Sequence, residues 1–309
     1  MSTRTNPPAT GVRVPWQDVH AGVRAAVEEF LGGRVAEAVT QDGGFSPAAA
    51  VRLRTDGGRR AFVKTVSPER NPDSVLIYRA EAAISAALPA AVPAPRLLTS
   101  FELDGWVTLV FEDIEGRHPV TPWRRDELDL VLAAVRRMGA ELTPSPIDAP
   151  PIAERFGDAF RGWRRLLGED TAGLDPWALR HLAALAELES GWAEGAAGDT
   201  LLHSDLRADN LLVAGDRVYV VDWPWACTGA AWFDLMAMLP SVAMQGGPPP
   251  QELLPDPAPA ITAALAGLTG FFLRQSRQPA PPGLPTLRAF QHAQGVEALE
   301  WLRHRTGWA

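Results

Sequence analysis

Apolar and polar positions change their rhythm near residue 113. Ahead of it, short apolar runs alternate and are broken by glycine pairs; beyond it, apolar residues recur at helical spacing. Val19, Val23, Ala26, Val27 and Phe30 predict a helix over 16–31, ended by Gly32 and Gly33. Strands are expected over 34–39, 48–54 and 60–66, joined by turns at 41–46 and 56–58. A helix over 74–88 follows, with Asn71 or Asp73 as its cap. After a proline-rich break at 89–95, strands over 97–103 and 106–111 flank Asp104-Gly105 as a hairpin. Helices are then expected over 126–142, 152–167 and 176–192. Two short apolar strands at 211–213 and 218–221 enclose a turn. A helix over 229–239, an irregular Pro/Gly connection over 245–260 and helices over 261–275 and 287–305 complete the chain. Strands first and helices second give an α+β architecture in two lobes. The N-lobe is 1–112, with 1–12 as a mobile polar tail, and the C-lobe is 113–309.

The composition fits a soluble globular chain with enough apolar residues for a sizeable core: 46% hydrophobic and 21% charged over 309 residues. A net charge of -8 argues against a nonspecific nucleic-acid binder. The single cysteine, Cys227, excludes an intrachain disulfide and a multi-cysteine zinc site. No apolar run reads as a secretion signal or membrane span, so a cytoplasmic protein without membrane or nucleic-acid partners is expected. Oligomeric state is not readable. Of the 29 Lys and Arg residues only one is lysine, Lys64. In a chain that otherwise uses arginine, that lysine is either one that arginine does not replace or a chance survivor.

The chemistry concentrates in Leu201–Asp222, which holds His203, Asp205, Asn210 and Asp222. Folding the 211–221 hairpin brings Asn210, just before its first strand, beside Asp222, just after its second. Mg²⁺ prefers hard oxygen ligands and takes only one or two from protein. Asn210 and Asp222 suit it, and Asp205 on the loop leading in suits an acceptor of a hydroxyl proton. A solvated acidic hairpin without chemistry is the alternative. Gly43, Gly44, Phe45 and Ser46 form a turn ahead of the Lys64 strand. It reads either as an ordinary hairpin turn or as a loop laying backbone N–H groups over phosphates.

His203-x-Asp205-x4-Asn210 with Asp222 twelve residues on resembles the catalytic and metal loops of protein kinases. More closely it resembles the aminoglycoside phosphotransferase and choline kinase-like family of small-molecule kinases, in which the metal aspartate is often followed by Trp, as in Asp222-Trp223. Ser204 departs from the family's usual Gly. The resemblance implies a protein-kinase-like fold, with a small antiparallel-sheet N-lobe, a larger mainly helical C-lobe, and ATP and Mg²⁺ between them. It implies that Lys64 holds the α- and β-phosphates and pairs with Glu81. It implies that backbone groups of Glu112, Asp113 and Ile114 bind adenine, with side-chain identity of little consequence. It further implies that Asp234 braces the catalytic loop. His203 is expected to support that loop, not to act as a base. Arg207 either reaches the transferring phosphoryl group or forms a surface ion pair.

The expected activity is ATP-dependent phosphorylation of a hydroxyl on a small molecule. A catalytically inactive kinase-like nucleotide-binding protein is disfavoured, because Lys64, Asp205, Asn210 and Asp222 are all present. A Ser/Thr protein kinase is disfavoured by Trp223-Pro224 where such kinases carry Phe-Gly, and by the missing Ala-Pro-Glu signature. Substrate identity is not readable. Glu252, Asp256, Glu297 and Glu300 are candidates to meet a polycation. Trp223, Trp225, Trp232, Trp301 and Trp308 offer aromatic faces that bind quaternary ammonium or stack on sugars, although so many Trp in one chain read first as core.

Overall fold

The computed structural model describes residues 7–309. Its N-terminal part is a five-stranded antiparallel sheet of β1 (Val35–Thr40), β2 (Ala49–Thr55), β3 (Arg60–Val66), β4 (Leu97–Leu103) and β5 (Trp106–Phe111), in the order β1-β2-β3-β5-β4. Side chains of a strand alternate between faces. Val51, Leu53, Ala61, Val63 and Val110 therefore share one face, where they pack on Val23, Val27 and Leu31 of α1 (Ala21–Leu31). Val66, Leu109 and Phe111 share the other, against Val75 and Tyr78 of α2 (Pro72–Ala87). Lys64 follows Val63 and so faces α2. The start of α2 is fixed by Asn71, whose Oδ1 accepts the Ser74 N–H at 2.9 Å. Asp104 and Gly105 both take positive φ, 50° and 80°, as the tight β4–β5 turn requires.

The C-terminal part is mainly helical. Its helices are α3 (Arg125–Glu141), α4 (Ile152–Phe156), α5 (Gly162–Leu166), α6 (Pro176–Arg180), α7 (Leu182–Ser190), α8 (Trp192–Gly195), α9 (Phe233–Met244), α10 (Pro250–Leu253), α11 (Pro259–Gln275) and α12 (Leu287–Thr306). One core, including Trp163, Leu185, Phe233 and Trp301, runs through them. Two small strand pairs sit at its cleft side. β6 (Thr200–Leu202) pairs with β9 (Cys227–Gly229), and β7 (Leu211–Ala214) pairs with β8 (Arg217–Val220). The result is the two-lobed, protein-kinase-like α+β architecture. Among the described residues no helix is long and apolar enough to cross a membrane.

Several elements differ from expectation. The helix over 16–31 begins only at Ala21, after a 3₁₀ turn at Trp16–Asp18. The helix over 152–167 is two short ones, and Gly162 at the start of the second passes close against α11: a Cβ on it would lie 2.1 Å from the Gly270 carbonyl carbon. The helix over 176–192 is likewise broken into α6 and α7. The helix expected from 229 starts at Phe233, since Cys227–Gly229 is spent as a strand beside β6. The connection over 245–260 contains α10. Residues 1–6 of the expected mobile tail lie outside the described residues, but 9–12 are tied down. The Val12 N–H donates to Gly283 O at 2.9 Å, and the Thr286 hydroxyl donates to Thr10 O at 3.1 Å.

Candidate active site

The hairpin β7–β8 is the centre of the site. Gly215, at φ 64°, permits its turn, and the Val221 N–H donates to Asn210 O at 3.0 Å, closing the mouth. Asn210 and the chain at Asp222 are thereby side by side. The hairpin is held to the rest of the chain by paired bonds between Val213 and Arg117, at 2.7 and 3.1 Å, and by the Val220 N–H on Pro93 O at 2.6 Å. A cavity of about 350 Å³ lies between this hairpin and the sheet. Gly43 to Ser46, Lys64, Glu81, Glu112 to Ile114, Asn210 and Asp222 all line it.

Lys64 bridges the two sides. Its Nζ lies 2.5 Å from Glu81 Oε2 and 2.5 Å from Asp222 Oδ1. Burial works to depress the Lys64 pKa, but the two carboxylates outweigh it and hold the ammonium charged. Burial likewise works to raise Asp222, and the adjacent ammonium instead holds it below the usual carboxylate range. Glu81, only 2% exposed, is pushed up by desolvation despite its bond to Lys64. Asp222 sits at φ 71°, a conformation unusual for a residue with a side chain.

Asp205 does not line the cavity itself but stands beside Asn210, whose Nδ2 donates to Asp205 O at 2.8 Å and to Asp205 Oδ2 at 3.3 Å. That turns the Asn210 amide oxygen away from Asp205. Desolvation pushes the Asp205 carboxyl up to about 6, against the pull of Arg207. Arg207 forms a half-buried ion pair and not a surface one. It donates to Asp205, binds Asp209 through two bonds of 3.0 Å, and lies beside both the Phe45 and Phe290 rings, 5.6 and 5.7 Å from their centres.

The loop bearing Asp205 is braced from below. Both oxygens of Asp234 accept backbone N–H groups, from His203 and Ser204, each at 2.8 Å. Burial pushes the Asp234 carboxyl up. His203 Nδ1 accepts the Asp205 N–H at 3.2 Å, so Nε2 carries the proton and donates to Val221 O at 2.9 Å. Burial depresses the His203 pKa, in keeping with a neutral ring. Ser204 takes φ 69°, the left-handed conformation that glycine favours, and its Oγ lies 3.1 Å from Cys227 Sγ.

Two expected features are arranged differently. In the glycine loop one N–H is already occupied and the carbonyls are tied down. The Gly44 N–H donates to Ala9 O at 2.9 Å, and the carbonyls of Gly43, Gly44 and Ser46 accept from Arg13. The Phe45 ring meets Phe290 of α12 edge-on at 5.1 Å. At the connection between lobes, side-chain identity matters. Asp113 accepts from Arg52 at 2.7 Å and from Arg60 at 2.8 Å. The Ile114 carbonyl already accepts from Arg52 and from the Gly116 N–H, and the Glu112 N–H from its side donates to Arg96 O. The Glu112 carbonyl and Ile114 N–H have no protein partner among the described residues.

Sequence reasoning missed Arg13 and Arg52, which line the cleft, and Phe290, which packs on Phe45 and Arg207; only tertiary contacts bring them there. It also missed the apolar lining from Ala50, Phe62, Phe111 and Leu212, which the period-2 alternation of the strands was able to reveal. Of the acids suggested for a polycation, Glu297 and Glu300 line a second cavity of about 500 Å³ between α9, α10 and α12, together with Trp301. Trp223 lines the cleft, buried, and Trp308 stacks on Trp177.

The fold matches known kinases over nearly its whole length. An aminoglycoside phosphotransferase in ternary complex with AMP-PNP and hygromycin B superposes with a TM-score of 0.62 at 16% identity, covering 92% of this chain and 98% of that one. A choline/ethanolamine kinase family protein from Mesorhizobium loti gives 0.60 at 16% identity, covering 91% and 94%. In sequence, 133 residues are 31% identical to a homoserine kinase of Methylobacterium nodulans, 41% of this chain and 38% of that protein, so the match spans well under half of the curated relative. The phosphotransferase enzyme family matches residues 39–279, most of the chain. With Lys64, Glu81, Asn210 and Asp222 gathered around one interlobe cavity, the chain belongs to the phosphotransferase enzyme family and has the fold of its ATP-dependent small-molecule kinases.

Proposed function

We propose that the protein transfers the γ-phosphoryl group of ATP to a hydroxyl of a small molecule. The observation that carries this reading is the Lys64 ammonium held between Glu81 and Asp222 in a cavity also lined by Asn210. Adenine lies among Ala50, Phe62, Phe111 and Leu212, with the Glu112 carbonyl and Ile114 N–H as its hydrogen-bonding edge. The phosphates extend past Lys64 toward the glycine loop.

The residues present fit a magnesium ion. Lys64 engages Asp222 through one carboxylate oxygen, leaving the other, and the Asn210 amide oxygen is turned away from Asp205. One carboxylate and one amide oxygen are the hard donors Mg²⁺ accepts alongside phosphate and water. Bound there, Mg²⁺ supplies positive charge to the phosphate oxygens. Lys64 orients the α- and β-phosphates. Asp205 orients the acceptor hydroxyl and takes its proton late, which a loose transition state tolerates. Asp234 holds the His203 and Ser204 backbone, His203 holds the Asp205 N–H, and Arg207 holds the Asp205 carboxylate. Most of the rate gain comes from this positioning and from electrostatics.

Hydroxy amino acids, amino alcohols, sugars and aminoglycosides are the acceptors to test, since relatives include a homoserine kinase and aminoglycoside and choline/ethanolamine kinases. ATP-dependent phosphate transfer is assayed across that panel with wild-type protein and with Asp205→Asn. Transfer to one acceptor class is expected, falling at least about a hundredfold in Asp205→Asn with ATP affinity retained. Undiminished turnover in Asp205→Asn would remove that residue from the role.

A further inference from the structure

Arg13 precedes α1 and lies ahead of residues 39–279, the part matched to the family. It nevertheless lines the interlobe cavity together with Lys64 and Asp222. Its NH1 donates to Ser46 O at 2.8 Å and its NH2 to the carbonyls of Gly43 and Gly44. These are neutral acceptors, and the Nε–H is buried without any. The other Arg and Lys side chains lining the cavity are neutralised: Lys64 by Glu81 and Asp222, Arg52 by Asp113, Arg117 by Glu127. Arg207, close by, is shared by Asp205 and Asp209. Arg13 is thus the one cavity-lining Arg or Lys, among the described residues, with no carboxylate partner. Within the loop it holds, the Gly44 N–H is already taken by Ala9 O.

A guanidinium with no counter-charge, in a cleft whose other cations are matched or outnumbered by acids, is arranged for an incoming anion. We propose that Arg13 binds the distal phosphate oxygens of the nucleotide, adding a donor fork beside a loop whose Gly44 N–H is already taken. The N-terminal segment then serves two ends: it fixes the loop through its carbonyls and supplies positive charge beneath it. This inference rests on the reading of the cleft as an ATP site.

Titration calorimetry with ATP, ADP, AMP and adenosine on wild type, Arg13→Ala and Arg13→Lys separates the possibilities. Wild type is expected to prefer ATP to adenosine. Arg13→Ala should lose at least about tenfold in ATP affinity, the scale of one charged hydrogen bond, while adenosine affinity stays within about twofold. Arg13→Lys, which keeps the charge but not the fork, should fall between. An equal loss for ATP and adenosine would mean that Arg13 only holds the loop. Unchanged affinities would overturn the proposal, and tighter ATP binding in Arg13→Ala would make Arg13 a plug instead. If Arg13→Ala does not fold, Arg13→Gln is judged by the same ATP-to-adenosine ratio. A wild-type protein without ATP affinity sinks the ATP reading itself, whereas an unaltered ratio in the variants sinks only Arg13.

Discussion

Lys64 Nζ and Asp222 Oδ1 lie 2.5 Å apart although 158 residues separate them in the chain. The bond joins β3 of the sheet to the end of the β7–β8 hairpin. Glu81 holds the same ammonium from α2. One cation therefore ties together the sheet, the helix packed on it and the hairpin below.

Geometry as well as charge is at stake in that bond. An ammonium is a compact donor on a flexible stem, and a guanidinium is a wider planar fork. Lys64→Arg is expected to lower phosphate transfer by about a hundredfold, the scale for losing one positioned electrostatic contact. Glu81→Gln should also impair transfer, and the double mutant should lose less than the product of the two single losses. Steady-state kinetics on the three variants checks this, and wild-type rates in Lys64→Arg would make the lysine a chance survivor.

Asp222→Asn is expected to abolish most of the gain in ATP affinity that Mg²⁺ provides, at least about tenfold. The amide keeps the size of the side chain but removes the charge that both Lys64 and a divalent cation require. Calorimetry of ATP with and without Mg²⁺ reads the difference directly. A Mg²⁺ effect as large as that of wild type would place the metal elsewhere.

How far the sequence discloses this site depends on where each contact originates. Lys64 was readable as the one lysine of the chain and through resemblance, and Asn210 and Asp222 because a tight hairpin makes distant positions adjacent. Asp205, Asp234 and His203 were readable through resemblance. Arg13 was not: a short polar segment at the chain's start carries no periodicity, and its fixing contacts come from Gly283 and Thr286 at the other end. Phe290 meets Phe45 and Arg207 for the same non-local reason. The break at α4–α5 was hidden because apolar spacing continues across it, and the close approach of Gly162 to Gly270 just after it is a non-local contact. The strand Cys227–Gly229 is too short to show a pattern.

Ser204 occupies a glycine conformation at φ 69° next to Asp205. A left-handed residue with a Cβ costs about 1–2 kcal/mol, more if β-branched. Ser204→Gly removes that strain but also the Cys227 contact, and should lie within about 1 kcal/mol of wild type. Ser204→Val, which is β-branched and has no hydroxyl, should cost at least about 2 kcal/mol. Urea midpoints for the two variants test the idea, and equal stability of Gly and Val at this position would show that the backbone there is unstrained.

Glu189 supplies a pH dependence remote from the cleft. It is 1% exposed and accepts the N–H groups of Trp163 and Arg164 at the start of α5, at 3.1 and 2.6 Å. Desolvation pushes its carboxyl up to about 7, more than those two bonds draw it down. The unfolded chain returns it to the usual glutamate value, about 4.3. The folded state thus binds the proton more tightly than the unfolded one. This group's stabilising contribution is complete below the unfolded pKa and is lost as pH rises through about 7. Glu189→Gln has no proton to lose, and its amide oxygen still accepts one of the two N–H groups. Relative to wild type, the variant should gain stability between about pH 5 and pH 8, whatever its offset at the lower value. Urea midpoints of both proteins across that range decide the matter. Parallel curves would mean that Glu189 ionises in the folded protein as readily as in the unfolded chain.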